Sequence, residues 1–407
     1  MPMTAKRTFW TLVLSSAAIL SVTMGIRQST GLFVSPLNSA TGLGIVTISL
    51  ALAIGQFVWG AAQPLFGMLA DRVGSFRVIV LGAVLLAVGM AITPWMHTGV
   101  GLMFAMGVLT AAGAGAGSFS ILIGAAAQRL PADKRSFASG FINAGGSFGQ
   151  FLFAPIAQAL ISAFGWITAM LALAATTLTT ILLALPLRQS KAAAAATAAS
   201  LPADGITLGQ QTRIAFQDPS YWCLHAGFFT CGFHIAFLVT HLPGEVALCG
   251  LPASVSATSL AIIGLANIVG SISAGWLGQT KRMKMILVWM YASRAVAVAI
   301  YLMAPKTDFT FYVFAAVLGL TWLSTVPPTA GLVGKLFGAR YLATLFGLTL
   351  FSHQIGGFFG AWLGGIAIDR TGSYDWMWYA DIVLALLAAL VNLPIREAKP
   401  VLAAAPA

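Results

Sequence analysis

Apolar runs of about 20 residues recur along the whole chain, separated by short clusters of charge, glycine and proline. Read with a window of about 19 residues, the pattern predicts helices near 9–36, 44–70, 77–96, 99–127, 136–162, 164–185, 220–243, 254–279, 284–304, 309–333, 341–368 and 375–394. That is about twelve membrane spans. The one long polar stretch, 186–219, contains Arg188, Lys191, the Ala-rich run 192–196, Asp204, Arg213 and Asp218, and divides the spans six and six. It reads as a cytoplasmic linker between an N-terminal bundle, 1–185, and a C-terminal bundle, 220–407. Lys6 and Arg7 precede an apolar stretch from Phe9 to Met24 without a cleavage pattern, so this stretch is expected to stay as the first helix.

Composition excludes a soluble protein. A chain of 407 residues could hold two or three soluble domains, but 59% of these residues are hydrophobic, 8% are charged and the mean hydropathy is +0.91, against about 25% charged in globular chains. The fold class is therefore an all-α integral membrane protein with lipid as its main solvent. The net charge of +11 is explained by where the basic residues fall. With both termini cytoplasmic, the inner loops hold Lys6, Arg7, Arg72, Arg77, Arg129, Lys134, Arg135, Arg188, Lys191, Arg213, Lys281, Arg282, Lys284, Lys335, Arg340, Arg396 and Lys399, which is 17 of the 21 basic residues. Only Lys306 and Arg370 fall outside, with Arg27 and Arg294 inside helices. This bias orients the chain, so its charge is topological and no nucleic-acid partner is expected. The three cysteines, Cys223, Cys231 and Cys249, have neither disulfide nor metal spacing.

The halves carry an internal repeat. Asn143-Ala-Gly145-Gly146-Ser-Phe-Gly149 in the fifth helix matches Gln354-Ile-Gly356-Gly357-Phe-Phe-Gly360 in the eleventh at a shift of 211, and a shift of 207 aligns Met24-Gly25-Ile26-Arg27 with Cys231-Gly232-Phe233-His234. Two pseudo-symmetric six-helix bundles with a cavity between them are expected, with Arg27 and His234 as repeat mates. The loop after helix 2, Gly67-Met-Leu-Ala70-Asp71-Arg72-Val-Gly74-Ser-Phe-Arg77, resembles the signature loop of the major facilitator superfamily. With the six-plus-six split, the resemblance covers the whole chain. The segments Gly232 to Pro243 and Arg340 to Gly357 are similar to a bacterial branch related to the monocarboxylate and oxalate/formate porters. The resemblance implies a secondary transporter in a bacterial inner membrane. It also implies an arginine in helix 8, where this chain has Asn267, and the C-terminal loop Gly275 to Arg282 has no carboxylate where Asp71 would recur.

An arginine at the bilayer centre costs roughly 2.5–3.5 kcal/mol on insertion scales, so Arg27 is the leading candidate to hold a substrate carboxylate or phosphate with its planar fork. Candidate lining residues are Gln28, Ser118, Asn143, His234, Trp322, His353 and Gln354, and the Pro327-Pro328 pair marks a break in helix 10. His234, Arg294 and Asp381 form a candidate proton or ion-pair site, with Asp381 the expected partner of Arg294. Gly67, Asp71, Arg72, Gly74 and Arg77 form a candidate conformational gate, since a carboxylate at a helix end can cap a neighbouring helix and bridge the bundles in one conformation only. The alternative for this loop is an ordinary solvated turn.

Of the ten acidic residues, only Asp381 falls within a predicted span, while Glu245 is placed at the outer face. The expected ligand is a small organic anion, carried by a monomer that needs no cofactor or metal. A proton could accompany it through a histidine, Asp381 or the substrate's own carboxylate. The alternatives are efflux of a neutral or amphipathic compound and, more remotely, a polytopic membrane enzyme, for which the chain has no His/Asp/Glu cluster, phosphate-binding loop or paired nucleophile and base.

Overall fold

The computed structural model describes residues 3–127, 129–130, 132–188, 207–338 and 341–397, except the side chains at 3–7, 71–72, 127, 132–133, 135–136 and 343. Within the hydrocarbon each backbone N–H and C=O must be satisfied by its own segment, and the apolar runs accordingly become helices. The spans are α1 (Met3–Gln28), α2 (Ile45–Val73), α3 (Ser75–Ile92), α4 (Gly99–Ala126), α5 (132–164), α6 (166–177), α7 (Pro219–Leu248), α8 (Ala253–Thr280), α9 (Met283–Met303), α10 (Asp308–Phe337), α11 (Leu342–Thr371) and α12 (Asp375–Asn392). Among the described residues, ten stretches are long and apolar enough to cross a membrane. One of them, Phe137–Leu187, covers 51 residues and turns back at Gly165, whose φ of 80° breaks the helix where a side chain would be strained. It thus holds two spans, and α11, at 30 residues, completes the twelve. From the linker, the helix Leu208–Gln217 begins with a reciprocal cap between Thr207 and Gln210.

Two helices are interrupted at comparable places in the two halves. In α4, Met103–Thr110 is a π-helical stretch, and the chain breaks again at Gly117, whose carbonyl accepts from Thr23 of α1 at 3.0 Å. In α10, Asp308–Thr321 and Val326–Phe337 are separated by an irregular turn, as the proline pair predicts. Freed backbone groups at membrane depth are tolerated only where neighbouring groups re-satisfy them. Here Arg294 donates to the carbonyls of Thr321 (2.7 Å) and Trp322 (3.2 Å), and the Asn267 side-chain oxygen accepts from the N–H of Leu323 (3.0 Å).

The glycine repeat sets the packing within each bundle. A Cβ at Gly145 would strike Ala17, and one at Gly149 would strike the Ser21 carbonyl, so α5 lies directly against α1. In the other half, Gly356 and Gly360 sit on the carbonyls of Phe229 and Phe233, bringing α11 onto α7. These contacts correct one expectation. The α5 and α11 glycines are 211 apart, but Ala17 pairs with Phe229 and Ser21 with Phe233 at a shift of 212, not 207. Arg27 therefore corresponds to Val239, and His234 to Val22. The short match around Gly25 and Gly232 is five residues out of register. At 3.6 residues per turn, a five-residue slip turns a side chain by about 140°. Arg27 and His234 consequently point in different directions.

The sequence pattern ends the seventh helix at Pro243, yet α7 continues through it to Leu248. Glu245 is therefore inside the helix, buried, and accepts from the Tyr301 hydroxyl at 2.7 Å.

Candidate functional site

α1 leaves its last turn with Arg27 facing α2 and α11. The guanidinium lies over the Trp59 ring, 4.1 Å from the centroid, and donates to the side-chain oxygen of Gln56 and, at 3.4 Å, to that of Gln354. Among the described residues no carboxylate comes within 4.0 Å of it. A cation stacked on an indole gains about 0.5–2 kcal/mol, and two amide oxygens add hydrogen bonds, but none of these cancels its charge. Next to Gln354, His353 accepts from that residue's amide at 2.5 Å and meets Phe228 edge-on, while its Nε2 has no partner. The buried donors Gln28 Nε2, Trp59 Nε1 and Gln63 Nε2 are also unpartnered. This arrangement is a cation surrounded by donors, suited to a ligand rich in acceptor oxygens.

Several contacts join the two bundles. Trp322 of α10 donates its indole N–H to Gln28 of α1 at 3.2 Å. Asn143 of α5 donates to Ser271 of α8 at 2.9 Å, and Asn267 of α8 donates back to Ser147 of α5 at 2.6 Å. α2 runs along α11, with Ser49 against Gly365 at one end and Phe57 against Phe351 at the other. The 14 steps from Phe351 to Gly365 rise roughly 21 Å at 1.5 Å per residue, so the bundles touch over most of the hydrocarbon depth.

The structure brings Arg27, Gln28, Gln354, His353 and Trp322 to this junction. Asn143 is also at the junction, on the α5–α8 seam. Ser118 instead faces Ser120 at 3.3 Å, and Ser120 donates to Gln63 at 3.0 Å, so Ser118 is held within the N-terminal bundle. His234 turns into the C-terminal bundle, where it is fully buried, bonded through Nδ1 to Asp381 of α12 and edge-on to Trp322 at 5.7 Å. The expected Arg294–Asp381 pair is not formed. Arg294 is engaged by the α10 carbonyls because the break at Trp322 frees them one helix away, and Asp381 is taken by His234.

Residues 14–361 match the family model described as Major Facilitator Superfamily. The chain belongs to the major facilitator superfamily. It is 26% identical over 399 residues to monocarboxylate transporter 13 of Rattus norvegicus, covering 95% of this chain and 89% of the relative. It is 23% identical over 401 residues to an uncharacterized MFS-type transporter of Bacillus subtilis, covering 96% of each. The oxalate:formate antiporter of Oxalobacter formigenes is 23% identical over 372 residues, covering 89% of this chain and 86% of the relative. This major facilitator is a multi-pass membrane transporter and not an enzyme.

In the signature loop of this major facilitator, the side chains of Asp71 and Arg72 lie outside the described ones, Arg77 is exposed, and Gly67 has open space around it. Gly74 ends α2 and begins α3 at a φ of 89°, a backbone that glycine adopts without strain. Gln56, which touches Gly357, and Asn267, which bonds Ser147, belong to the junction although the sequence analysis selects neither as a site residue. Each is an amide in a predominantly apolar helix, and that was the available signal. Gln63, bonded to Ser120, stays within the N-terminal bundle.

Proposed function

We propose that this protein moves a small organic anion bearing a carboxylate across a bacterial inner membrane by alternating access, with Arg27 as the anion anchor. The observation that carries this reading is the Arg27 guanidinium at the bundle junction, stacked on Trp59 and bonded only to amide oxygens. A buried cation without a counter-ion is costly, and a bound carboxylate relieves that cost. The names of the rat and Oxalobacter relatives support the same ligand class. Gln354, His353, Gln28 and Trp322 complete the site, and Asn143 with Asn267 closes the seam beside it. The units that rock are 1–185 and 220–407, with 186–219 as the linker and both termini cytoplasmic, in keeping with the basic-residue bias. A monomer suffices, and the Asp71 loop biases the inward/outward balance.

The test is a thermal-shift screen of organic acids on the purified protein, followed by uptake of the labelled hit into liposomes. A ligand at about 100 times its dissociation constant adds about 2.7 kcal/mol of stability. Arg27→Lys keeps the charge but loses the planar fork, so affinity should fall about 5- to 150-fold, corresponding to the roughly 1–3 kcal/mol of a charge-assisted bond. Arg27→Ala should fall further. Acid binding that is indifferent to both replacements would remove Arg27 from the site.

A further inference from the structure

The junction site leaves unused a second set of buried polar groups, inside the C-terminal bundle. His234 and Asp381 are both fully buried and bonded to one another through Nδ1 and Oδ2, while the other two polar atoms, His234 Nε2 and Asp381 Oδ1, have no partner. Buried polar atoms are nearly always satisfied, so two vacancies on one pair call for an explanation. An apolar side chain at either position would have avoided the cost of burying the pair.

We propose that His234 and Asp381 form a proton-binding site behind Trp322, distinct from the Arg27 anchor, whose occupancy governs the Trp322–Gln28 contact between the bundles. The pair holds one proton between Nδ1 and Oδ2, and each vacant atom offers a place for one more, taken from water and returned to it. Arg294 of α9 is the charged group that acts on the pair, and Tyr291 of α9, Cys231 of α7 and His353 of α11 are the titratable groups grouped around Arg294. α10 contributes Trp322 and α1 contributes Gln28, neither of which titrates in this range. With a single proton the pair bears one negative charge, which balances Arg294. With two protons it is neutral, and Arg294 is left uncompensated beside the α10 break.

Trp322 conveys this change. Its ring meets His234 edge-on at 5.7 Å, its carbonyl accepts from Arg294 at 3.2 Å, and its indole N–H reaches Gln28 across the junction at 3.2 Å. An imidazolium attracts an indole face and not its edge, so protonation re-orients the edge-on ring against His234 and carries its N–H away from Gln28. The pair itself lies in the C-terminal bundle, and the inference does not require Arg27 to bind an anion.

The experiment uses the full-length purified protein without any organic acid. Infrared difference spectra recorded as the pH is lowered from about 8 through and below the usual histidine range should show a carboxyl or imidazole protonation change that is lost in both His234→Gln and Asp381→Asn. In parallel, Ala53→Cys and Ala361→Cys, at buried positions on α2 and α11 that share one apolar cluster, report on bundle closure by disulfide formation, in a background with Cys223 and Cys249 replaced by serine. The cross-linking rate should depend on pH in the otherwise native chain and lose that dependence in either variant. Thermal unfolding confirms that each variant is folded, and two different replacements guard against the failure of one. A protonation signal that persists in both variants, or an unchanged pH dependence of cross-linking, overturns the proposal. The anion-induced thermal shift, read separately, bears only on Arg27.

Discussion

Arg27 and Gln354 meet across the junction as cation and neutral amide, and this choice of residues can be tested directly. Gln354→Glu would place a carboxylate 3.4 Å or so from the guanidinium, where Gln354 now accepts, and supply the missing counter-ion from within. The anion-induced thermal shift should disappear while the unliganded protein unfolds at the same or a higher temperature, as measured by differential scanning fluorimetry. At Cys249, just beyond the end of α7, burial first and the nearby Glu245 second push the thiol above its usual range, with Lys306 opposing. The thiolate is the reactive form, so maleimide should label Cys249 more slowly at neutral pH than a free thiol and accelerate as pH rises. Arg27 was legible in the sequence because a guanidinium in an apolar run is costly wherever it points. The sequence also groups His234 with Arg294 and Asp381, but it pairs Asp381 with Arg294; that His234 takes the carboxylate was not legible, because Asp381 lies 147 residues away on another helix.

Helix packing in this protein depends on which glycines face a backbone and which face open space. Gly356→Ala would drive a Cβ into the Phe229 carbonyl, which cannot rotate away, whereas Gly275, in α8, has nothing within 4 Å. Overpacking typically costs about 1–3 kcal/mol, so Gly356→Ala should lower the unfolding temperature clearly and Gly275→Ala should leave it unchanged or raise it. The glycine pattern of helices 5 and 11 could be read as a repeat from sequence. The register of helices 1 and 7 could not, because a four-residue match carries less information than the carbonyl contacts that place Ala17 opposite Phe229. The continuation of α7 past Pro243 was likewise hidden, since tertiary neighbours re-satisfy the groups that proline frees.

For the whole molecule, alternating access requires that the contacts between bundles be breakable. Interhelical hydrogen bonds in membranes average about 0.6 kcal/mol, so the bonds from Arg27, Trp322, Asn143 and Asn267 together contribute about 2–3 kcal/mol. That is less than the roughly 5.5 kcal/mol needed to carry a two-state equilibrium from 1:99 to 99:1, leaving the balance open to ligand control. Asn267 bridges Ser147 with Leu323 and Ser324, so Asn267→Ala should loosen the α5–α8 seam. Hydrogen exchange measured by mass spectrometry should then rise in 143–151 and 264–271 while 49–60, on the α2–α11 contact, stays as it was. If exchange rises equally in both places, Asn267 supports the fold as a whole and not the seam.

The sequence by itself determined the solvent, the number of spans, the six-plus-six division, the family and the position of the uncompensated arginine. Each follows from local quantities, namely the apolar length that crosses a bilayer, the charge of loops and a contiguous loop motif. Only the tertiary structure decided which polar groups meet. It paired His234 with Asp381, gave Arg294 to the broken carbonyls of α10, and stacked Arg27 on Trp59. Those outcomes depend on helix rotation, where one residue of register is about 100°, and rotation is set by close contacts such as Gly149 on Ser21 and Gly360 on Phe233. An apolar run does not carry that angle, because lipid rewards every face of the helix alike.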